Sequence, residues 1–165
     1  MSALAGKPVR ESASEYSEIA LPGDANGLGF VLGGKVMHLV DMAAALAAIR
    51  HARRSVVTAS IDSMNFLHPV HIGNLILLRS SVNRVFTTSM EVGVRVEVED
   101  LRTGERRHTS SAYLTFVALD DNDKPVAVPP VIPETEQEIR RYEQAAERRR
   151  YRLEGGTGLK ACPGR

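Results

Sequence analysis

Cysteine is nearly absent from this chain: its one thiol, Cys162, lies in the Gly-rich end Gly155–Arg165. One cysteine cannot close an internal disulfide, and its place in a tail argues against a catalytic thiol, so a reducing, cytosolic compartment is expected. An excess of either charge is missing too. Lys plus Arg number 21 against 20 Asp plus Glu, and a net charge of +1 gives no electrostatic reason to expect nucleic acid or a membrane as partner. Long hydrophobic runs are missing as well. The longest weakly polar stretch, Val36 to Ile49, is interrupted by His38 and Asp41 and is too short to span a bilayer. Lys7, Arg10 and Glu11 break up the N-terminus before a signal-peptide core can form. No G-x-S-x-G elbow supports a serine-hydrolase triad, and His68 and His71 have no Cys, Asp or Glu at metal-ligand spacing. Gly29, Gly34 and Lys35 imitate a phosphate loop, but Val36 stands where that loop needs a hydroxyl.

What is present suits one domain, since 165 residues can bury a real core but not two comfortable ones. Residues 1–14 are small and polar and are expected to be ill-ordered. Tyr16 to Leu21 alternates weakly, as a short strand does, and Pro22 to Gly29 is dense in turn residues. From Gly33-Gly34 to about His51 the spacing predicts a helix: Val36, Leu39, Val40, Ala43, Leu46 and Ala47 fall on one stripe. Five alanines between residues 43 and 48 leave much of the remaining surface small, which reads as a buried helix. Strands follow at Ser55–Leu67, Leu75–Val85, Ser89–Glu99 and Arg107–Leu119, joined by short turns that favour meander pairing. In the third, Val92, Val94, Val96 and Val98 alternate with polar residues, as in a half-buried antiparallel strand. A Pro-rich stretch from Pro125 to Pro133 ends the sheet. The reading is α+β: a domain over residues 15–133, a charged helix over 134–152 that packs on the surface or against a partner, and a flexible tail over 153–165. One sheet face covers the helix; the other face or the sheet edge needs cover from elsewhere, so an oligomer is expected.

Asp41 is the sharpest chemical signal. A carboxylate inside an apolar helix costs several kcal/mol unless it is paired, hydrogen-bonded or protonated. Local sequence leaves two readings open: a structural pair with His38 or a rim aspartate, and a base activating water or a nucleophile in an apolar pocket. Gly33-Gly34 opens the same helix, where free N–H groups can stabilise an oxyanion or simply make a turn. Asn26, in the preceding loop, is either a turn residue or an amide that orients a carbonyl or water.

The run Leu21 to Gly29, then Gly33 to Asp41, resembles the acyl-CoA hydrolases of the hotdog superfamily. The resemblance continues in Ala48 to His51, Val56 to Asp62, Asn65 to Gly73, Thr87 to Val92 and Ala112 to Ala118, covering about residues 16–133. It implies the hotdog fold, an antiparallel sheet wrapped around a long helix. It also implies hydrolysis of a fatty acyl-CoA to fatty acid and CoA, with no metal or other cofactor. Asp41 then acts as general base or nucleophile, Asn26 of the partner subunit positions water or the carbonyl, and the Gly34 N–H holds the thioester oxygen. Substrate or CoA contacts are implied for Gly33, Thr58, Asn65, Phe66, Arg84, Thr88 and Ser89. Arg53, Arg54 and Arg107 are further possible phosphate contacts. A single-domain chain is expected to form a trimer of dimers, a homo-hexamer. Two other readings stand beside hydrolysis: a hotdog dehydratase or hydratase using His38, and a non-catalytic acyl-CoA-binding protein.

Overall fold

The chain folds around one long helix. The computed structural model describes residues 4–155; Cys162 and residues 156–165 of the expected flexible tail lie outside them. In chain order the elements are β1 (Lys7–Pro8), β2 (Ser14–Ile19), α1 (Gly33–Ala52), β3 (Ser55–Ile61), β4 (Leu75–Val85), β5 (Ser89–Glu99), β6 (Arg106–Leu119), β7 (Val131–Ile132) and α2 (Glu136–Leu153). Five strands make an antiparallel sheet in the order β2-β4-β5-β6-β3.

Meander pairing holds only for β4, β5 and β6. The strand expected through Leu67 stops at Ile61, and the irregular segment 62–74 carries the chain across, so β3 pairs with β6 instead of β4. β3 is therefore an edge strand. The N-terminal segment also departs from expectation, because residues 7–13 are built into the fold. Lys7–Pro8 pairs in parallel with Val131–Ile132, Val9 is buried, and the fully buried Ser12 hydroxyl accepts from the Val82 N–H. The Pro-rich stretch contributes β7 to this pairing, where Pro8 and Pro133 bound a ladder too short to need many N–H donors.

The core lies between α1 and the concave sheet face. Val36, Leu39, Val40, Ala43, Ala44, Ala47 and Ala48 are buried against Ile76, Leu78, Val82, Val92, Val94, Val96, Leu114 and Phe116. Burying each of the larger aliphatic side chains contributes about 1.5–3 kcal/mol. The alanines let the helix lie close to the strands, and the Ser80 hydroxyl donates to the Ala43 carbonyl at 2.7 Å. At the helix end, His51 is fully buried with Nε2 2.8 Å from the Pro129 carbonyl. A carbonyl only accepts, so that nitrogen carries the proton; desolvation holds the ring below the ordinary histidine pKa.

α1 is not buried on all sides within one protomer. Met37, Met42, Leu46 and Ile49 are between 38% and 44% exposed across a broad stripe, about half the helix surface, that faces away from the sheet. That stripe adjoins the free edge of β3, where Val57 and Ile61 are also exposed. Long apolar edges of this kind are normally paired or covered.

The convex sheet face is covered in part by the chain itself. α2 has a capping box at Thr135 and Glu138, yet only Ala145 of its side chains is buried. Arginines hold it instead. Arg148 donates to both oxygens of Glu91, at 2.7 and 3.0 Å, and stacks 3.6 Å from the Tyr113 ring centroid. Arg149 reaches the Ser89 hydroxyl and Arg152 reaches Asp62. Glu91, which alternation assigns to a charged solvent face, is fully buried under this helix. The Asn83 amide also donates to it, and a β-carbon on Gly93 would come within 2.9 Å of that amide, which is why glycine interrupts the strand there.

Candidate active site

The first turn of α1 has no side-chain cap: Leu32 stands at the N-cap, and the Gly33 and Gly34 N–H groups have no protein acceptor among the described residues. Two free amides at the positive end of a 20-residue helix form a ready oxyanion site. Beside them a cavity of about 360 Å³ is lined by Phe30, Val31, Gly33, Val36, Phe66, Leu67, His68, Pro69 and Val70. It is chiefly apolar, and its size sits at the lower end of small-molecule pockets, roughly 300–1,000 Å³.

Asp41 lies two turns further along α1 on the exposed apolar stripe, half-buried. Its hydrogen-bond partner is Thr58 of β3, whose hydroxyl donates to Oδ1 at 2.8 Å; it is not His38, which is exposed. The second oxygen, Oδ2, has no partner among the described residues. A carboxylate with one oxygen anchored and one free can take a proton or attack an electrophile without losing its orientation.

Asn26 is a turn residue. Its Oδ1 accepts from the N–H groups of Leu28 at 2.9 Å and Phe30 at 3.1 Å, which shapes the loop, aided by Gly29 at φ +82°. With the oxygen occupied by the backbone, the NH₂ group is the edge left to meet another molecule. Asn26 can therefore donate to an oxygen but not accept from one. Asn26→Asp keeps both loop contacts and replaces that donor edge with a carboxylate oxygen. If the amide stabilises a developing oxyanion, kcat is expected to fall by about 10²–10³-fold with Tm near native. Native turnover in steady-state assays of the variant rules that role out.

The other residues implied by resemblance do not gather at one place. The Phe66 ring packs over Gly33, within 3.5 Å of where its β-carbon would stand, and the Asn65 carbonyl accepts from the Ser110 hydroxyl. Thr58 is the Asp41 partner. Arg84, Thr88 and Ser89 lie around the β4–β5 turn near the far end of α1. Arg84 donates to the Tyr142 carbonyl and stacks on Tyr142, and Ser89 accepts from Arg149, so α2 occupies both. Arg53 and Arg54 border a shallow hollow with Asp121, and Arg107 pairs with Glu105. Among the described residues no group of three or more His, Cys, Asp or Glu is arranged to hold a metal ion, and no helix is long and apolar enough to cross a membrane.

Sequence reasoning missed one cluster, and dismissed its central residue. Lys35 reaches Glu18 at 2.6 Å and Asp24 at 3.4 Å, tying β2 and the Asn26 loop to the helix start. Glu18 is too far away in the chain for any local spacing to announce the contact.

Residues 28–105 match the family model described as the thioesterase superfamily. An uncharacterized acyl-CoA thioester hydrolase of Bacillus subtilis is 46% identical over 139 residues, spanning 84% of this chain and 81% of that protein. A crystal structure described as an apo-hexameric acyl-CoA thioesterase superposes with TM-score 0.90 at 42% identity, covering 94% of this chain and 99% of that one. The acyl-CoA hydrolase of Staphylococcus aureus, solved with butyryl-CoA, CoA and CoA disulfide, superposes with TM-score 0.83 at 35% identity over 93% and 96%. That hydrolase has also been solved with alanine replacing an aspartate, an asparagine and a threonine.

Proposed function

The chain belongs to the thioesterase superfamily, and from that premise we propose that it hydrolyses fatty acyl-CoA to the free acid and CoA at a site shared between two subunits. Asp41 of one subunit is the general base or nucleophile, and Asn26 of the partner subunit completes the site. The observation that carries this is the Asp41 carboxylate, anchored by Thr58 yet half free on an otherwise apolar stripe. The replaced residues of the Staphylococcus aureus hydrolase add support. Its asparagine, aspartate and threonine are separated by 15 and 17 residues, as are Asn26, Asp41 and Thr58.

As a base, Asp41 takes a proton from water as the water oxygen adds to the thioester carbonyl. The Gly34 N–H and the Asn26 amide donate to the carbonyl oxygen as negative charge builds there. The carbon–sulfur bond then breaks, CoA leaves, and the proton passes to its sulfur. As a nucleophile, Asp41 itself bonds to the carbonyl carbon and the carbon–sulfur bond breaks, releasing CoA thiolate. Water then cleaves the acyl-aspartate anhydride, freeing the acid and the Asp41 carboxylate and supplying the proton that the thiolate takes.

The spacing along the chain supports a shared site. Seven residues of helix separate Gly34 from Asp41, roughly 10 Å along the axis, and Asn26 precedes the helix. A second copy whose α1 runs antiparallel on the exposed stripe brings its own Asn26 loop alongside Asp41. The same packing pairs the β3 edges and covers Met37, Met42, Leu46 and Ile49. The hexameric description of a close structural neighbour supports three such dimers per particle.

Mixing subunits tests this. Asp41→Ala and Asn26→Ala proteins are each expected to fall about 10²-fold or more below native activity. Unfolded together and refolded at equal amounts, they should regain about a quarter of native activity, because a mixed two-fold dimer holds one intact site and one doubly altered site. A site built within one chain gives no recovery.

A further inference from the structure

We propose that Lys35 is a positioning residue for hydrolysis: it locks the Asn26 loop to the first turn of α1, setting where the Asn26 amide stands. This rests on the role given to Asn26 above. The Lys35 ammonium lies between Glu18 Oε1 at 2.6 Å and Asp24 Oδ1 at 3.4 Å. Asp24 is built into the loop on both sides: its Oδ2 accepts from the Leu21 N–H at 3.1 Å and its carbonyl from the Leu32 N–H at 2.9 Å. Asn26 follows two residues later. Glu18 is in turn fixed by the Tyr16 hydroxyl at 2.8 Å, so the anchor reaches back into β2. The far end of the loop is held separately, by the Val31 N–H on the Val70 carbonyl at 2.8 Å. Lys35 directly follows Gly34, so one side chain joins the loop, the sheet and the turn that carries the free amides.

The chemistry of the cluster excludes two other roles. An ammonium facing two carboxylates has no surplus charge for a CoA phosphate. Hydrogen bonding to Lys35 holds the Glu18 carboxyl below its usual range, and Glu18 holds Lys35 above its own, so the pair stays charged across neutral pH. Nor is the cluster a main source of stability. The three side chains all keep contact with water, which screens the attraction between them. Positioning is another matter, because a displacement of about 1 Å at a catalytic group can cost 10²-fold in rate.

A double-mutant cycle separates positioning from folding. Lys35→Met is expected to lower kcat about tenfold or more, with KM for acyl-CoA changing less and Tm near native. Lys35→Arg, which keeps the cation, should recover most of the rate. In an Asn26→Ala background the same Lys35→Met change should cost less than about twofold, since the group it positions is gone. A native kcat for Lys35→Met, or an equal loss in both backgrounds, overturns the proposal. If Asn26→Ala alone keeps native kcat, the assignment of Asn26 fails first and that single variant reveals it.

Discussion

Asp41→Asn is expected to lower the rate of thioester hydrolysis by about 10²–10⁴-fold, the range attributed to a positioned general base. Asparagine is the informative replacement because its amide oxygen can still accept the Thr58 hydroxyl. The fold and the contact between α1 and β3 are thereby kept, while the proton-accepting oxygen is lost. A purely structural Asp41 would tolerate this change with little loss of rate. Steady-state hydrolysis across a series of acyl chain lengths, beside a CoA-binding measurement, reads the outcome. Retained binding with lost turnover excludes a simple binding protein; retained turnover removes Asp41 from the chemistry. Single-turnover hydrolysis in heavy-oxygen water then tests the nucleophilic route. Label in the Asp41 carboxylate requires an acyl-aspartate attacked by water at its aspartyl carbonyl, and a base never acquires it.

Arg148→Ala is expected to destabilise the fold far more than the substitutions at Asp41, Asn26 or Lys35. It strands the Glu91 carboxylate, fully buried, with the Asn83 amide as its remaining donor. Breaking a buried pair from one side costs about 3–5 kcal/mol, which for a domain of this size lowers Tm by roughly 6–20 °C. The change also removes the stacking on Tyr113 that seats α2. The control is Arg107→Ala, whose exposed pair with Glu105 should contribute under about 1 kcal/mol. Thermal unfolding at one protein concentration compares them, since association raises apparent stability. Equal shifts for the two variants would show that the buried pair does not hold α2. Replacing both partners, as Arg148→Met with Glu91→Leu, should restore most of the loss because no buried charge is left unpaired.

Much of this protein can be read from residue order. The boundaries of β4 and β5 follow from alternation and turn residues, and the valines at 92, 94, 96 and 98 do face the core as alternation demands. The reach of α1 follows from a three- and four-residue spacing that holds from Val36 to Ala47. These are local regularities: the pleat and the helical turn repeat every two and 3.6 residues, so the sequence carries them directly. Asp41 also stands out locally, because a carboxylate among alanines and methionines is costly without a partner.

What that partner is, sequence could not say. The His38 pairing it offered is a neighbour on the same helix; the contact found, Thr58, comes from β3, which crosses to the far edge of the sheet to pair with β6. The same holds for Glu91, a surface residue by alternation and a buried one beneath Arg148, and for Lys35, joined to Glu18 by the return of the chain. Local spacing alone determined the helix, most of the strands and the candidate carboxylate. Tertiary structure decided which polar groups are paired, which are buried and which edge is left open, because those depend on contacts between segments far apart in the chain, and such contacts have no period to read.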